Sequence, residues 1–196
     1  MREEVKLTIL KNLLGEVTKK YDDILGEKEA EVKKHFERAI RDSLTGIYNR
    51  FFFIEELKRK LLKYKRENKK LIVAFVDLDN FKHVNDTLGH EEGDRVLKKV
   101  VEIIKKNIRE YDLLARYGGD EFILFFDTEN KKVVEKILKR IVKKINYQFE
   151  KYKISASYGL AIYPDDSEDV NELLRIADEK MYEQKIDKKT KIKDKQ

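Results

Sequence analysis

Two acidic clusters sit at the ends of apolar runs, and these are the first places where chemistry could reside. The run Leu71-Ile72-Val73-Ala74-Phe75-Val76 ends in Asp77-Leu78-Asp79. On a strand, residues two apart share a face, so both carboxylates can point the same way. Like charges at a buried strand end repel unless a cation or a helix terminus compensates. Asp79 has an ordinary alternative role, as the N-cap of a helix beginning at Asn80 or Phe81. The second cluster is Tyr117-Gly118-Gly119-Asp120-Glu121-Phe122. Its glycines permit a tight turn and let a ligand approach the backbone. Two acids follow where a two-residue hairpin needs none, although charged hairpin tips are common. If the fold joins the clusters, Asp77 and Asp120 offer what Mg²⁺ asks for: hard oxygens on rigid backbone, with phosphate oxygens and waters completing the octahedron.

The elements that must position these acids are legible in the periodicity. Helical patterns run from Phe51 to about Glu67, from Gly93 to Ile108, from Lys131 to about Gln148 and from Asp169 to Lys185. Leu71 to Leu78 reads as a buried strand. Leu113 to Tyr117 and Glu121 to Asp127 read as short strands around Gly118-Gly119, a hairpin signal. Tyr152 to Tyr163 reads as a strand, with Gly159 as a possible bulge. From Leu71 the order is β-α-β-β-α-β, then a helix. This predicts an α/β (α+β) fold with a ferredoxin-like core and helices on one face of the sheet. In that topology the first strand lies beside the hairpin, so Asp77 and Asp120 converge. The chain has no G-x-x-x-x-G-K-[ST] and no G-x-G-x-x-G, which disfavours P-loop and Rossmann nucleotide sites.

Residues 1–41 read differently. Leu7, Leu10, Leu14, Val17, Tyr21 and Ile24 follow a 3-4-3-4-3 spacing, the seam of a coiled coil. Lys28 and Glu31 then break the register. A seam shifted by one residue continues through Leu25, Val32, Phe36 and Ala39. The pattern predicts one long helix with a phase break, or two helices meeting near Leu25-Gly26. Such a helix either packs on its own domain or dimerises and relays a signal; the length of the seam favours dimerisation.

Composition excludes several classes. The chain has 196 residues, 41% hydrophobic and 42% charged, with ten Phe and ten Tyr to build a core. The absence of cysteine removes disulfides, thiolate nucleophiles and Cys-ligated zinc. Three scattered histidines do not make a metal site. No apolar run approaches the about 18 residues needed to span a bilayer, and no signal peptide is visible, so a cytoplasmic protein with no membrane span is expected. The net charge is +6, of which Gln184–Gln196 contributes +4. A basic tail of this kind does not predict a nucleic acid polymer as partner.

These motifs, taken together, resemble the GGDEF family of diguanylate cyclases. The resemblance is carried by Asp42-Ser43-Leu44-Thr45-Gly46-Ile47-Tyr48-Asn49-Arg50, by Asp77 through Phe81-Lys82-His83-Val84-Asn85-Asp86-Thr87-Leu88-Gly89-His90 to Gly93-Asp94, and by Arg116 through Phe122. Ser157 to Ala161 and Ala177 to Tyr182 continue it. It implies a core similar to the palm of polymerases and nucleotide cyclases, and condensation of two GTP into cyclic di-GMP with release of pyrophosphate. It implies that Asp77 and Asp120 ligate Mg²⁺ (or Mn²⁺) through carboxylates and Leu78 through its carbonyl. Glu121 is a further ligand or helps to deprotonate the attacking hydroxyl. Asn80, Phe81 and Lys82 place backbone amides and a cation at the terminal phosphates, and Lys185 also binds phosphate. Asn85 and Asp94 read guanine. Arg109 and Asp112, in Arg109-Glu110-Tyr111-Asp112, match the family's R-x-x-D product-inhibition site.

The sequence departs from the family at its end. Lys189 stands where an arginine usually grips phosphate, and Lys188 replaces a glycine, so the last helix is free to run on. The expected organisation is a helical dimerisation segment over 1–41, a cyclase domain over 42–189 and a basic tail over 190–196. Residues 1–41 are too few for a sensor, so the input to a homodimer is expected from a separate upstream sensor protein or from a portion of the protein outside this sequence. The competing reading is a catalytically silent module that serves as a cyclic di-GMP receptor or dimeric adaptor.

Overall fold

The structure, a computed structural model, describes residues 2–193, with side chains through residue 190. It divides into two units, Met1–Ile40 and Arg41–Gln196. The first contains a single helix, α1 (Arg2–Ile40), with no break at Gly26. Along its seam, Leu10, Leu14 and Val17 are 65–69% exposed. After the shift, Val32 and Phe36 are exposed as well.

The second unit is built on a five-stranded sheet. Its strands are β1 (Tyr48–Asn49), β2 (Leu71–Asp79), β3 (Leu113–Gly118), β4 (Glu121–Phe126) and β5 (Ser155–Tyr163). Their order is β1-β3-β4-β2-β5. Only β1, a two-residue strand parallel to β3, lies outside the predicted set. The central strand β2 pairs antiparallel with both β4 and β5. Its residues from Leu71 to Val76 are all at most 3% exposed. A strand covered on both faces loses the polar alternation of a half-buried one, which is why LIVAFV reads as a continuous apolar run.

Helices cover both faces, not one as the pattern suggested. Ile72, Ala74, Val76 and Leu78 pack with α3 (Phe81–Leu88), α4 (His90–Lys105) and α5 (Lys131–Gln148). Leu71, Val73 and Phe75 face α2 (Arg50–Glu67) and α6 (Val170–Lys193). The βαββαβ order itself places α4 and α5 on one side; the two flanking helices close the other. The predicted helix from Gly93 begins earlier, at His90, and is preceded by α3. Gly89 separates them at φ +83°, where its N–H caps Asn85 O at 3.0 Å. The single strand read over Tyr152 to Tyr163 begins as a short 3₁₀ turn, Glu150–Tyr152, with β5 following at Ser155. The basic tail predicted from 190 is helical through Lys193; 194–196 lies outside the described residues.

Gly159 is not a bulge. Its register with Phe75 is unbroken from Leu71↔Tyr163 to Asp79↔Ser155. A Cβ there would lie 2.1 Å from Ala177 O and 2.3 Å from Met181 N. The glycine is required because the backbone of α6 lies directly on β5. Gly159→Ala is therefore expected to destabilise the domain by about 3 kcal/mol in urea unfolding, because backbone cannot yield as a side chain can. Gly26→Ala has nothing within 4 Å to meet and is expected to change stability by less than about 1 kcal/mol. Equal stability of the two variants would contradict this packing.

Candidate active site

The site forms where β2 and β4 end together. Register sets Asp77 opposite Glu121, and Leu78 N–H donates to Asp120 O at 3.3 Å. Asp120 therefore sits against the end of β2, as the topology predicted. The turn that delivers it is Gly119-Asp120, with Gly119 at φ +39° and a register shift between Arg116 and Gly118. Arg116 locks this turn. Its guanidinium donates to Gly119 O at 2.9 and 2.7 Å and reaches the Asp42 carboxylate at 3.2 Å. Asp42 in turn accepts from Thr45 N–H at 2.9 Å and from the Thr45 hydroxyl at 2.6 Å. Burial pushes the Asp42 carboxyl up, but Thr45 and Arg116 outweigh it and hold the pKa below its ordinary value. The junction 42–50 and the Gly-Gly-Asp-Glu turn are thus one braced unit.

The charges at this end of the sheet are unbalanced without a cation. Burial raises the pKa of Asp77, and neighbouring Asp120 and Asp79 add to the rise. Glu121 is raised by burial first, then by Asp77, Asp120 and Asp178. Helix α6 answers with lysines. Lys185 donates to Asp77. Burial opposes its charge, yet Asp77, Asp79 and Asp120 together hold its pKa above the ordinary lysine value. One turn later, Lys188 donates to Ala156 O at 2.6 Å, Ser157 Oγ at 3.1 Å and Asp79 at 3.2 Å. All three ammonium protons are satisfied. Asp79 also accepts from the buried Ser157 hydroxyl at 2.9 Å, so it serves as an anchor for α6 and not as the N-cap of α3.

Among the described residues, no three or more His, Asp or Glu side chains enclose a metal ion. Asp77 stands at the end of β2 and Asp120 is held beside it by the Leu78 N–H, which puts two carboxylates and backbone carbonyl oxygens at one sheet end. That set is open, and it fits an octahedral cation that keeps water and takes phosphate oxygens. The lysine drawn onto Asp77 marks the same demand for positive charge.

Beside these acids lies a cavity of about 1020 Å³. Of the predicted residues it is lined by Leu78, Asn80, Phe81, Lys82, Asp120, Lys185 and Lys189. Asn80 adopts φ +66° at the start of α3, and its side chain donates to Lys153 O at 2.9 Å. Asn85 and Asp94, the predicted guanine readers, lie outside this lining. Gly93, the neighbour of Asp94 in sequence, lets α3 approach α4: a Cβ on Gly93 would fall 1.9 Å from Asn85 Oδ1. The sequence reading missed Asn146, Lys153 and Ser155 as lining residues, and His83 and Asp86 of α3; no local pattern marks the first three, since they enter from α5, the turn after it and β5. Lys188 was visible only as a departure from a glycine.

Arg109 and Asp112 line a separate cavity of about 370 Å³, together with Arg41, Tyr48 and Lys105. Asp112 accepts from Arg109 N–H at 2.9 Å and Asp127 N–H at 3.3 Å, while burial raises its pKa. The Arg109 side chain donates to the Tyr111 hydroxyl at 2.9 Å. Arg41 stacks over Tyr48 at 4.9 Å, adding a third cationic group to this cavity.

Comparison with known proteins agrees with this geometry. The family model "Diguanylate cyclase, GGDEF domain" matches residues 39–191. A probable diguanylate cyclase of Escherichia coli, DgcT, is 37% identical over 161 residues, covering 79% of this chain and 35% of the relative. The bifunctional diguanylate cyclase/cyclic di-GMP phosphodiesterase MucR of Pseudomonas aeruginosa is 36% identical over 157 residues, 75% of this chain and 22% of the relative. The chain thus spans about a fifth to a third of these curated relatives. Among solved structures, the coiled coil and GGDEF domain of DgcB from Caulobacter crescentus, in complex with c-di-GMP, superposes with a TM-score of 0.68 at 29% identity. That match covers 82% of this chain and 92% of the other. With Asp77, Asp120 and Glu121 gathered at one sheet end and a family model spanning 39–191, the chain belongs to the GGDEF-domain family of diguanylate cyclases.

Proposed function

We propose that the chain is an active diguanylate cyclase that condenses two GTP into cyclic di-GMP and pyrophosphate. The observation that carries this reading is the convergence of Asp77, Asp120 and Glu121 beside a cavity lined by Lys82, Lys185 and Lys189. A silent receptor has no need of the full acid set.

The Asp77 and Asp120 carboxylates and the Leu78 carbonyl would hold the divalent cation, Mg²⁺ in the leading reading. When bound, it polarises phosphate oxygens and neutralises charge that develops on the leaving group. The chain's own residues do the rest. Lys82, Lys185 and Lys189 bind the triphosphate, and Lys185 exchanges Asp77 for a phosphate oxygen. Lys188 stays on Asp79 and Ser157 and keeps α6 in place while that exchange occurs. The 3′-hydroxyl of one GTP attacks the α-phosphorus of the other; the new O–P bond forms as the bond to pyrophosphate breaks. Glu121, whose pKa burial and the neighbouring acids raise above its ordinary value, is suited to accept the hydroxyl proton. Asn85 and Asp94 offer acceptors to the guanine N1–H and amino group, which adenine lacks.

One domain holds one GTP, so two copies must meet. The 3-4 spaced apolar seam of α1 supports dimerisation through residues 1–41. Arg109 and Asp112 support feedback by the product at the second cavity, since a guanidinium can fork onto phosphate. A coiled-coil GGDEF relative solved with c-di-GMP is consistent with both.

Turnover of GTP with Mg²⁺, followed across protein concentration and with added product, tests this reading. Cyclic di-GMP should form, with specific activity rising as the chain dimerises and falling as product accumulates. Asp120→Ala should lower the rate by at least about 10³-fold while circular dichroism is unchanged. Arg109→Ala should keep turnover and lose most of the product inhibition. No cyclic di-GMP from the dimeric wild-type protein would refute it.

The raised pKa of Glu121 carries a stability consequence. Its folded value lies above the ordinary 4.5. The native state therefore holds this proton more tightly than the unfolded chain does. The resulting stabilisation is complete below the ordinary value and is lost as pH rises through the folded one. At pH 7 the charged group is a burden, so Glu121→Gln should raise the Tm of the metal-free protein by about 1–3 °C. Near pH 4 the advantage should largely vanish. A Tm difference that does not change with pH would contradict the charge crowding.

A further inference from the structure

We infer that the solvent face of α5 is an electrostatic docking surface for an anionic lipid bilayer. Helix α5 carries seven Lys and Arg and one Glu, a charge of +6. That equals the net charge of the whole chain, so everything outside α5 sums to zero. Lys132, Lys136, Lys139 and Lys143 recur at spacings of four, three and four, which places them in one stripe along the helix. All four lie on the solvent side. The stripe from Lys132 to Tyr147 is about 22 Å long.

This helix is unlike the others in how its charges are handled. On α2, Lys58 meets Glu55 at 2.8 Å; on α4, Lys99 meets Glu102 at 2.8 Å; on α6, Arg175 meets Glu172 at 2.6 Å. Among the described residues, no cation of α5 forms a salt bridge. Arg140 and Lys144 cap the end of α4 instead, donating to Asn107 O at 3.0 Å and Asn107 Oδ1 at 2.9 Å. The stripe lysines have no such duty. Like charges at this spacing weaken a helix. No ion pair among the described residues offsets them, Glu135 being the single acid of the helix, whereas an external anionic surface does.

Three observations favour a bilayer over a nucleic acid. Six of the seven cations are lysines, which act as hydrated point charges, and the single arginine is already engaged with Asn107. The face offers no row of aromatics on which bases could stack, Tyr147 being the one aromatic of α5. Tyr147, four residues beyond Lys143 on the same stripe, is 84% exposed, and a tyrosine at the edge of a basic face suits the headgroup layer. The apolar side of α5 is spent in the core, through Val134, Leu138, Ile141 and Ile145. The helix therefore cannot turn its apolar side into lipid, and attachment is peripheral and salt-dependent. No helix among the described residues is long and apolar enough to cross a membrane.

Co-sedimentation of the full chain with vesicles tests the inference without reference to nucleotide chemistry. Two compositions are compared, phosphatidylcholine alone and phosphatidylcholine with about one-third phosphatidylglycerol. At about 0.1 M salt the chain should bind the anionic vesicles at least tenfold more tightly, and about 0.5 M salt should release it. Each lysine near the surface strengthens attachment roughly fivefold. The variant Lys132→Gln/Lys136→Gln/Lys139→Gln/Lys143→Gln should therefore lose at least about tenfold, with its Tm retained. Neutralising Lys19, Lys20, Lys33 and Lys34 of α1 should change little. Undiminished vesicle binding by the α5 variant overturns the proposal. So does a chain that ignores anionic vesicles but binds a single-stranded RNA homopolymer through the same lysines. A third result also overturns it: α5 lysines that affect only the association rate of GTP.

Discussion

The antiparallel pairing of β2 with β4 sets Asp77 opposite Glu121 and brings the Asp120 carbonyl onto Leu78 N–H. Like charges directly across a strand pair are destabilising. Here Asp77 is buried and Glu121 half-buried, so water screens them poorly. The register is nevertheless over-determined, because slipping it by one residue would turn the apolar side chains of β2 to the wrong faces. The core therefore forces the acids together, and the acids require a cation. Lys185 supplies that charge from α6, which can reach the site only because Gly159 lets its backbone lie on β5. Packing and electrostatics are two aspects of one constraint.

The cation supplied is replaceable. An ammonium on a flexible stem is a weak hold compared with a divalent ion that also binds phosphate. Lys188 differs from Lys185 in this respect. Its three donors are all spent on Asp79, Ser157 and Ala156, so it fastens the helix and leaves its neighbour free to move. In the usual family pattern a glycine stands there and an arginine follows. In this chain α6 continues to Lys193, and the anchor comes from a side chain.

Much of this was legible in the sequence because it is local. The run LIVAFVDLD, the Gly118-Gly119 turn and the 3.6-residue period of α5 each state their element within a few residues. What escaped is either short or distant. Helix α3 was expected only as a start at Asn80 or Phe81; with Phe81 and Val84 its only buried residues, no period showed its extent. Strand β1 is two residues whose partner, Ala115-Arg116, lies far along the chain. Gly159 looked like a bulge because a glycine in a strand does not reveal what lies above it. The second helical face was hidden because α2 and α6 lie outside the βαββαβ core. Lys188 could not be assigned a duty from sequence, since Asp79 and Ser157 are about 110 and 31 residues away. Asp77 and Asp120 could be paired in advance because two separate motifs and the strand order pointed to the same place.

Crystals of the protein grown with Mn²⁺ and a non-reacting GTP analogue offer the most direct test, read by anomalous scattering at the manganese edge. An anomalous peak between the Asp77 and Asp120 carboxylates is expected, with the Lys185 ammonium moved from Asp77 to a phosphate oxygen and Lys188 still on Asp79. A peak elsewhere, or a bound nucleotide with Lys185 unmoved on Asp77, would contradict a site organised around those two acids.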